Sequence, residues 1–368
     1  MKIEDIDRNF KTARIGGSPV IFYSAHAAPF VIEGFPWRRE GDLSFYRLPR
    51  DIKDVNDGAL WLANQTSGGA VRFRTDSEYI AIRAKLVHSS DMNHMPRAGS
   101  AGFDIYRGRG ASAWHLGTAQ PDRDQKMLEQ MLCVNPCPGI MADFIVNLPL
   151  YGGCEAVEIG LAPEAKLTEP TPHRVKFPVL FYGNSVTQGG CASRPGNAYT
   201  SMLCRAVDAP QVNLGFSGSG RGELAVARAI AGLPLSVYVS DYDCNAPDPE
   251  WLARTHEPFF QEIRRAQPQL PVILMSDQFE WREYKDDAWR VRLIRRDIVR
   301  RTYENAVSAG DRHVYFIDGG TLFGGRDRSA CSVDRGHPND LGFYRMYRNI
   351  LPVLKKALKE AEPDRPSA

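Results

Sequence analysis

The feature that most constrains this chain is a change of rhythm near its middle. Up to about residue 165, apolar residues recur near every second position in short runs. These are ALWLAN, AVRFRT, YIAIRAKLVH, GFDIYRG, DFIVNLPLY and AVEIGLA. Alternation of that kind turns one side of an extended chain toward a core and the other toward water. Gly, Pro, Asn and Asp separate most of the runs, and no long stretch with helical spacing interrupts them. After residue 177 the runs become PVLFYGNS, QVNLGFS, LSVYVSDYD, PVILMSD and HVYFIDGG, rich in apolar, β-branched and aromatic residues. Strands apolar on both sides need cover on both faces, which a parallel sheet receives from its crossover helices. Helical spacing over Asn197–Val207, Glu223–Ala231, Pro249–Ala266, Asp286–Ala309 and Asn339–Ala361 provides that cover.

The first grammar predicts a β-sandwich, jelly-roll-like, over residues 1–170. The second predicts a doubly wound, flavodoxin-like α/β domain with right-handed crossovers over residues 171–368. Between them LTEPTPHRVKFP has three prolines and little apolar periodicity, so a boundary falls near Ala165 to Phe177. A chain of 368 residues suits two domains.

Charge excludes some partners. With 46 basic and 44 acidic residues the formal net charge is +2, which gives no electrostatic case for nucleic acid or an anionic membrane. The arginines of RVRLIRRDIVRR, Arg290 to Arg301, are expected on the solvated face of a helix whose apolar face carries Val291, Ile294, Ile298 and Val299. No apolar run approaches the roughly 20 residues needed to span a bilayer. The opening MKIEDIDRNF is acidic without an apolar segment, and the seven cysteines are scattered. Both point to a cytoplasmic protein with reduced thiols. Homo-oligomerisation is compatible with the sequence.

Open parallel sheets hold their ligands at the carboxyl ends of the strands. The first strand there ends in Gly183-Asn184-Ser185-Val186-Thr187-Gln188-Gly189-Gly190. This is neither a P-loop, since no Gly-Lys-Ser/Thr follows, nor a dinucleotide fingerprint. Taken singly, Ser185 also suits a helix cap. Asp334 and His337, three apart, can face each other so that the carboxylate holds Nδ1–H and Nε2 is free to take a proton from a hydroxyl. Taken singly they also suit a capping aspartate and an exposed histidine. Gly218 can bring a backbone N–H close to a ligand, and Asn245 can add a side-chain N–H; a flexible turn and an Asx-turn are the plainer readings. With the Ser185 amide they would make three donors for an oxyanion.

Together, the Gly183–Gly189 stretch, Ser217-Gly218, Asn245 and Asp334-x-x-His337 resemble, in order, the four blocks of the SGNH (GDSL-like) hydrolases. That resemblance implies Ser185 as nucleophile, His337 as general base and acid, and Asp334 as its orienter. It implies an oxyanion hole of Ser185, Gly218 and Asn245, with no metal and no organic cofactor. One departure is Asn184, where the family usually has aspartate. Gly102-Phe103-Asp104-Ile105-Tyr106, Tyr46-Arg47-Leu48-Pro49 and Phe73–Ser77 resemble the β-rich domain that precedes one subgroup of these enzymes, similar in arrangement to two-domain carbohydrate esterases. The implied activity is a serine esterase on O-acyl, expected O-acetyl, esters of a small molecule or oligosaccharide. An O-acyltransferase and a carbohydrate-binding module with an inert hydrolase domain are the alternatives. Trp37, Trp61 and Trp114 are expected in the core, and the stretch Met92–Met95 is placed where it could overhang the site. The loop after Asp277, with Trp281, is expected to shape the pocket.

Overall fold

The computed structural model of the protein describes residues 13–89, 91–279 and 287–361. Its N-terminal strands are β1 (Ala13–Ile15), β2 (Ser18–Ser24), β3 (Val31–Glu33), β4 (Ala70–Thr75), β5 (Tyr79–Leu86), β6 (Phe103–Arg107), β7 (Trp114–Ala119), β8 (Met127–Val134), β9 (Ala142–Asn147), β10 (Cys154–Leu161) and β11 (Leu167–Thr168). They form two antiparallel sheets, ordered β1-β2-β10-β5-β8 and β11-β4-β9-β6-β7, with β3 added to β4. The alternation seen in the sequence fills the space between them. Ile80, Ile82 and Ala84 of β5 and Val157, Ile159 and Leu161 of β10 share a core with Val71 and Phe73 of β4 and Phe144 and Val146 of β9. Phe73 stacks on Phe144 with ring centroids 5.7 Å apart.

One expected strand is a helix. ALWLAN contributes to α1 (Asp57–Leu62), capped by Asn56, whose side chain accepts from the Ala59 N–H at 3.0 Å. Ala59, Leu62 and Ala63 recur at helical spacing and pack against Leu180, Tyr182 and Leu214 of the second domain. A short helix, α2 (Arg97–Ser100), follows later.

The second half is a five-stranded parallel sheet: β12 (Val179–Gly183), β13 (Gln211–Gly215), β14 (Val237–Asp241), β15 (Val272–Met275) and β16 (Val314–Ile317), ordered β13-β12-β14-β15-β16. Its helices are α3 (Ser185–Gln188), α4 (Tyr199–Val207), α5 (Leu224–Ala231), α6 (Pro249–Ala266), α7 (Asp287–Ser308) and α8 (Asp340–Ala361). Phe181 and Val239 point to the face covered by α4 and α8, whereas Leu180, Tyr182 and Tyr238 point to α5, α6 and α7. Both faces are covered, as the apolar strands require. Helix α6 begins where Asp248 caps it, accepting from Trp251 N–H at 2.6 Å, with Pro249 at its first position.

The arginine-rich face of α7 is not simply solvated. Arg295 is buried and donates to the Asp243 carbonyl, Arg292 pairs with Asp277 at 2.8 Å, and Ile294 is exposed. Buried acids just beyond the carboxyl ends of β14 and β15 draw these two cations inward, overriding the apolar spacing.

The domains are fastened by polar groups of the N-terminal motifs. Asp104 is fully buried; its carboxylate accepts from Asn147 at 2.7 Å, and from Arg194 and the Gly196 N–H at 2.8 Å each. His173 lies between Asp208, 2.8 Å from Nδ1, and Glu33, 3.0 Å from Nε2. Among the described residues no helix is long and apolar enough to cross a membrane.

Candidate active site

Strands β13, β12 and β14 run in register, with Gly183 beside both Gly215 and Asp241. Their following loops therefore leave the sheet side by side. Between β12 and β14 the chain's direction of winding reverses, which opens a crevice at the strand ends. Ser185 follows β12, Gly218 follows β13 and Asn245 follows β14.

Asn184, not Ser185, caps α3. Its Oδ1 accepts from the N–H groups of Val186 at 2.7 Å and Thr187 at 3.2 Å. The Ser185 hydroxyl is thereby free, and its Oγ lies 2.9 Å from His337 Nε2. Asn184 also answers for the missing family aspartate. Its amide nitrogen faces Asp241 Oδ1 at 3.5 Å, where a second carboxylate would be repelled. Burial first, then the charges of Asp243 and Asp277, push the Asp241 carboxyl well above the usual carboxylate range.

His337 and Asp334 share the loop before α8. Asp334 Oδ2 lies 2.7 Å from His337 Nδ1, and Oδ1 accepts from the backbone N–H groups of His337 at 2.7 Å and Gly336 at 3.0 Å. Burial raises the Asp334 carboxyl, but these bonds outweigh it and hold the pKa below the ordinary value. Gln278 donates to the Gly336 carbonyl at 2.9 Å and pins the loop to the end of β15. With Nδ1–H given to Asp334, the partners assign an unprotonated Nε2 facing the serine.

Gly218 sits at φ +68°, the left-handed region that glycine enters freely, and a Cβ there would meet no atom. No described residue accepts from its N–H or from that of Ser185. Asn245 Nδ2 donates one hydrogen to the Phe216 carbonyl at 3.0 Å, leaving the other for a ligand. Gln188, buried behind the serine, accepts from the Ser217 N–H at 3.0 Å and so fixes the glycine loop. Ser185, His337 and Asp334 form one hydrogen-bonded chain, while Gly218 and Asn245 lie on the loops that leave the neighbouring strands β13 and β14.

The N-terminal domain adds residues to the site, and the Met92–Met95 stretch overhangs it as expected. His94 packs edge-on to His337, ring centroids 5.4 Å apart, and Tyr151 donates to the Ser185 carbonyl at 3.3 Å. Ligand atoms of His94, Asp334 and His337 all lie within 4.8 Å of one another. Both ring nitrogens of His337 already have partners, however, so the set suits proton transfer better than cation binding. Trp61 and Trp114 are exposed rather than in the core, and Trp61 lines a cleft beside the site; Trp37 is partly buried. The indoles of Trp61 and Trp114 project from the packed faces of their short elements, which apolar spacing alone could not reveal. Trp281 lies outside the described residues.

The model for the GDSL-like lipase/acylhydrolase family matches residues 176–355, and that for the N-terminal (GxDLY) domain of SGNH-hydrolase-type esterases matches residues 20–167. No curated protein matches the sequence. Among solved structures, a Bacteroides ovatus protein designated a GDSL-like lipase is 25% identical, with 92% of this chain and 98% of that one covered at a TM-score of 0.82. The salicylyl-acyltransferase SsfX3 of a tetracycline biosynthetic pathway is 20% identical, covering 91% and 96% at 0.74. A family two carbohydrate esterase from Cellvibrio japonicus is 12% identical, covering 93% and 98% at 0.58.

Proposed function

The chain belongs to the GDSL-like lipase/acylhydrolase family in its two-domain form, and on that premise we propose that it is a serine esterase that cleaves O-acyl esters through an acyl-enzyme on Ser185. The observation that carries this reading is the unbroken chain from Ser185 Oγ to His337 Nε2, 2.9 Å, and from Nδ1 to Asp334, 2.7 Å.

His337 Nε2 takes the hydroxyl proton as Oγ attacks the ester carbonyl carbon. The carbonyl π electrons move onto oxygen, and the oxyanion accepts hydrogen bonds from Ser185 N–H, Gly218 N–H and Asn245 Nδ2. Such donors contribute most when they are already aimed at the developing charge. The intermediate collapses, the C–O bond to the alcohol breaks, and imidazolium returns its proton to the leaving oxygen. Water, deprotonated by the same Nε2, then releases the acid and frees Ser185. Asp334 holds the ring and stabilises the imidazolium without itself being protonated.

Side chains of His337 and Asp334 are 31% and 40% exposed. That openness supports hydrolysis over transfer, because water reaches the acyl-enzyme, and it leaves room for a bulky alcohol such as a sugar. Family two carbohydrate esterases share the two-domain fold, and O-acylated carbohydrate is the proposed substrate class.

The test is acid release from an acylated oligosaccharide and from p-nitrophenyl acetate, by wild type and Ser185→Ala in parallel. Release that disappears in the variant is expected. Equal release by both would remove Ser185 as nucleophile. Transfer to an added alcohol in preference to water would favour an acyltransferase.

A further inference from the structure

Beside the nucleophile lies a cleft of about 570 Å³, whose walls include Trp61, Leu62, His88, Met92, Ala101 and Tyr151. Small-molecule sites occupy roughly 300–1,000 Å³ and are mostly apolar, and this one fits that description. Its inner end is at the chemistry. Tyr151, which donates to the Ser185 carbonyl, forms part of the wall, as does Ser217, the neighbour of Gly218. Asp334 and His337 are not among its walls.

We propose that this cleft is the acyl pocket and that it takes an apolar, ring-sized acyl group rather than acetate. The inference rests on the serine-esterase reading and adds to it the class of acid. It follows from the four substituents of the tetrahedral carbon. One is Ser185 Oγ. The oxyanion occupies the Gly218–Asn245 side. The leaving oxygen must lie within reach of His337 Nε2, which protonates it. Only the acyl carbon remains, and the open space next to the serine that can receive it is the cleft walled by Tyr151 and Ser217.

The chemistry of the walls sets the kind of acyl group. Acetate would end at Tyr151 and leave the rest of an apolar space unfilled. At the outer end Trp61 is 56% exposed and leans on His88, ring centroids 5.7 Å apart at 34°. An indole with that much open surface gains by covering it with another flat or apolar body. Polar side chains do line it, among them Gln65, Asp91, Ser100 and Ser219, but most of the surface turned to the cleft is carbon, which suits an apolar body better than a sugar.

The experiment holds the leaving group constant, so that any preference belongs to the acyl side. p-Nitrophenyl acetate, hexanoate and benzoate are compared by kcat/KM, each divided by the ester's own rate with hydroxide. Hexanoate or benzoate should exceed acetate by about tenfold, and the better of the two tells a chain from a ring. Trp61→Ala should lower the ratio of benzoate or hexanoate to acetate by about three- to tenfold, the equivalent of one aromatic contact. Trp114→Ala, which removes another exposed indole from strand β7, should leave that ratio as it is. Acetate as the best ester, or Trp61→Ala moving all three alike, overturns the acyl pocket. The esterase reading survives that result provided Ser185→Ala is inactive on acetate. No turnover of any ester by wild type removes the esterase reading and the pocket together.

Discussion

Replacing Arg47 with methionine should loosen the loop that carries Gly218 and lower the stability of the whole chain. Arg47 is 0% exposed and has carbonyls, not a carboxylate, as partners. Nε donates to Gln65 O at 2.7 Å, Nη1 to Asn213 O and Gly215 O at 2.9 Å each, and Nη2 to Leu62 O at 2.8 Å. The guanidinium also lies 4.8 Å from the Phe216 ring centroid. Burial pulls its pKa down to about 9, which still leaves the cation intact at neutral pH. Hydrogen bonds from a charged donor contribute about 1.5–3 kcal/mol each. Against four of them stands the cost of burying the charge, several kcal/mol. Methionine removes both and leaves those carbonyls without this donor, so the protein should be at least about 3 kcal/mol less stable, or roughly 6–12 °C or more lower in Tm.

Arg47→Lys separates geometry from charge. One ammonium cannot span the carbonyls of Leu62 and Gln65 on one side and those of Asn213 and Gly215 on the other, yet its charge remains buried. The lysine variant should therefore melt below the methionine variant. Thermal unfolding by circular dichroism reads the stability order. Ester hydrolysis well below Tm should show a fall in kcat larger than the rise in KM, because the disturbed strand end leads directly into the oxyanion loop. A lysine variant more stable than the methionine one, or a methionine variant within a degree of wild type, would refute the argument.

Asn245→Ala should reduce kcat by roughly 10²–10³, the usual loss for one oxyanion donor, with KM little changed; steady-state kinetics decides it. Asp334→Asn should reduce kcat by up to about 10⁴ while circular dichroism stays that of wild type, since the loop's N–H bonds can still be accepted by the amide oxygen. His173 should make stability depend on pH. Burial lowers its pKa, but Asp208 and Glu33 outweigh burial and hold it above the ordinary 6.5, while Asp208 and Glu33 fall below 3.8 and 4.5. The histidine's contribution is complete below about pH 6.5 and lost as pH rises through its folded value; the acids' contribution is present above about pH 4.5 and lost below. Urea unfolding at about pH 5.5 and about pH 9 should show a drop that His173→Gln abolishes. Residues 171–368 expressed alone should hydrolyse p-nitrophenyl acetate far more slowly than the full chain, and equal rates would show that the N-terminal domain is dispensable.

Much of the fold follows from period alone. Strands β12 to β16 announce themselves because a strand covered on both faces must be apolar throughout, and Asp248-Pro249 marks the start of α6 to the residue. Helix α1 escapes the same reading. It is under two turns long, and Ala59 to Ala63 are apolar at every position, so the run suits either period until the neighbouring sheet decides. Ser185 and His337, 152 residues apart, are recognisable because each sits at a strand end or loop that a doubly wound sheet brings together. Arg47 and Trp61 are a different matter. Their positions depend on how two domains dock, and a docking surface has no periodicity to betray it. Arg292 and Arg295 look solvated for a related reason, since Asp243 and Asp277, which draw them inward, lie on other elements.

Docking also bears on whether the β domain is a separate module carried beside a hydrolase. The contacts tie it to the loops proposed to do the chemistry. Asn56 donates to the Ser219 carbonyl at 2.9 Å, and Ser67 to the Gln188 carbonyl at 2.6 Å. Gln65 pairs with the side chain of Gln188, the residue that fixes the Ser217 N–H. Arg47 fixes the carbonyls of Asn213 and Gly215, and His94 leans on the ring of His337. Each of these reaches a loop that carries Ser185, Gly218 or His337, the residues proposed for the chemistry. Undocked, the hydrolase would keep its residues but lose the groups that satisfy buried polar atoms around them, and such atoms cost about 1–3 kcal/mol apiece when left unpaired. Specificity and rate are thus tied to the same interface, because the walls that would receive the acyl group come from the domain that also steadies the loops performing the chemistry.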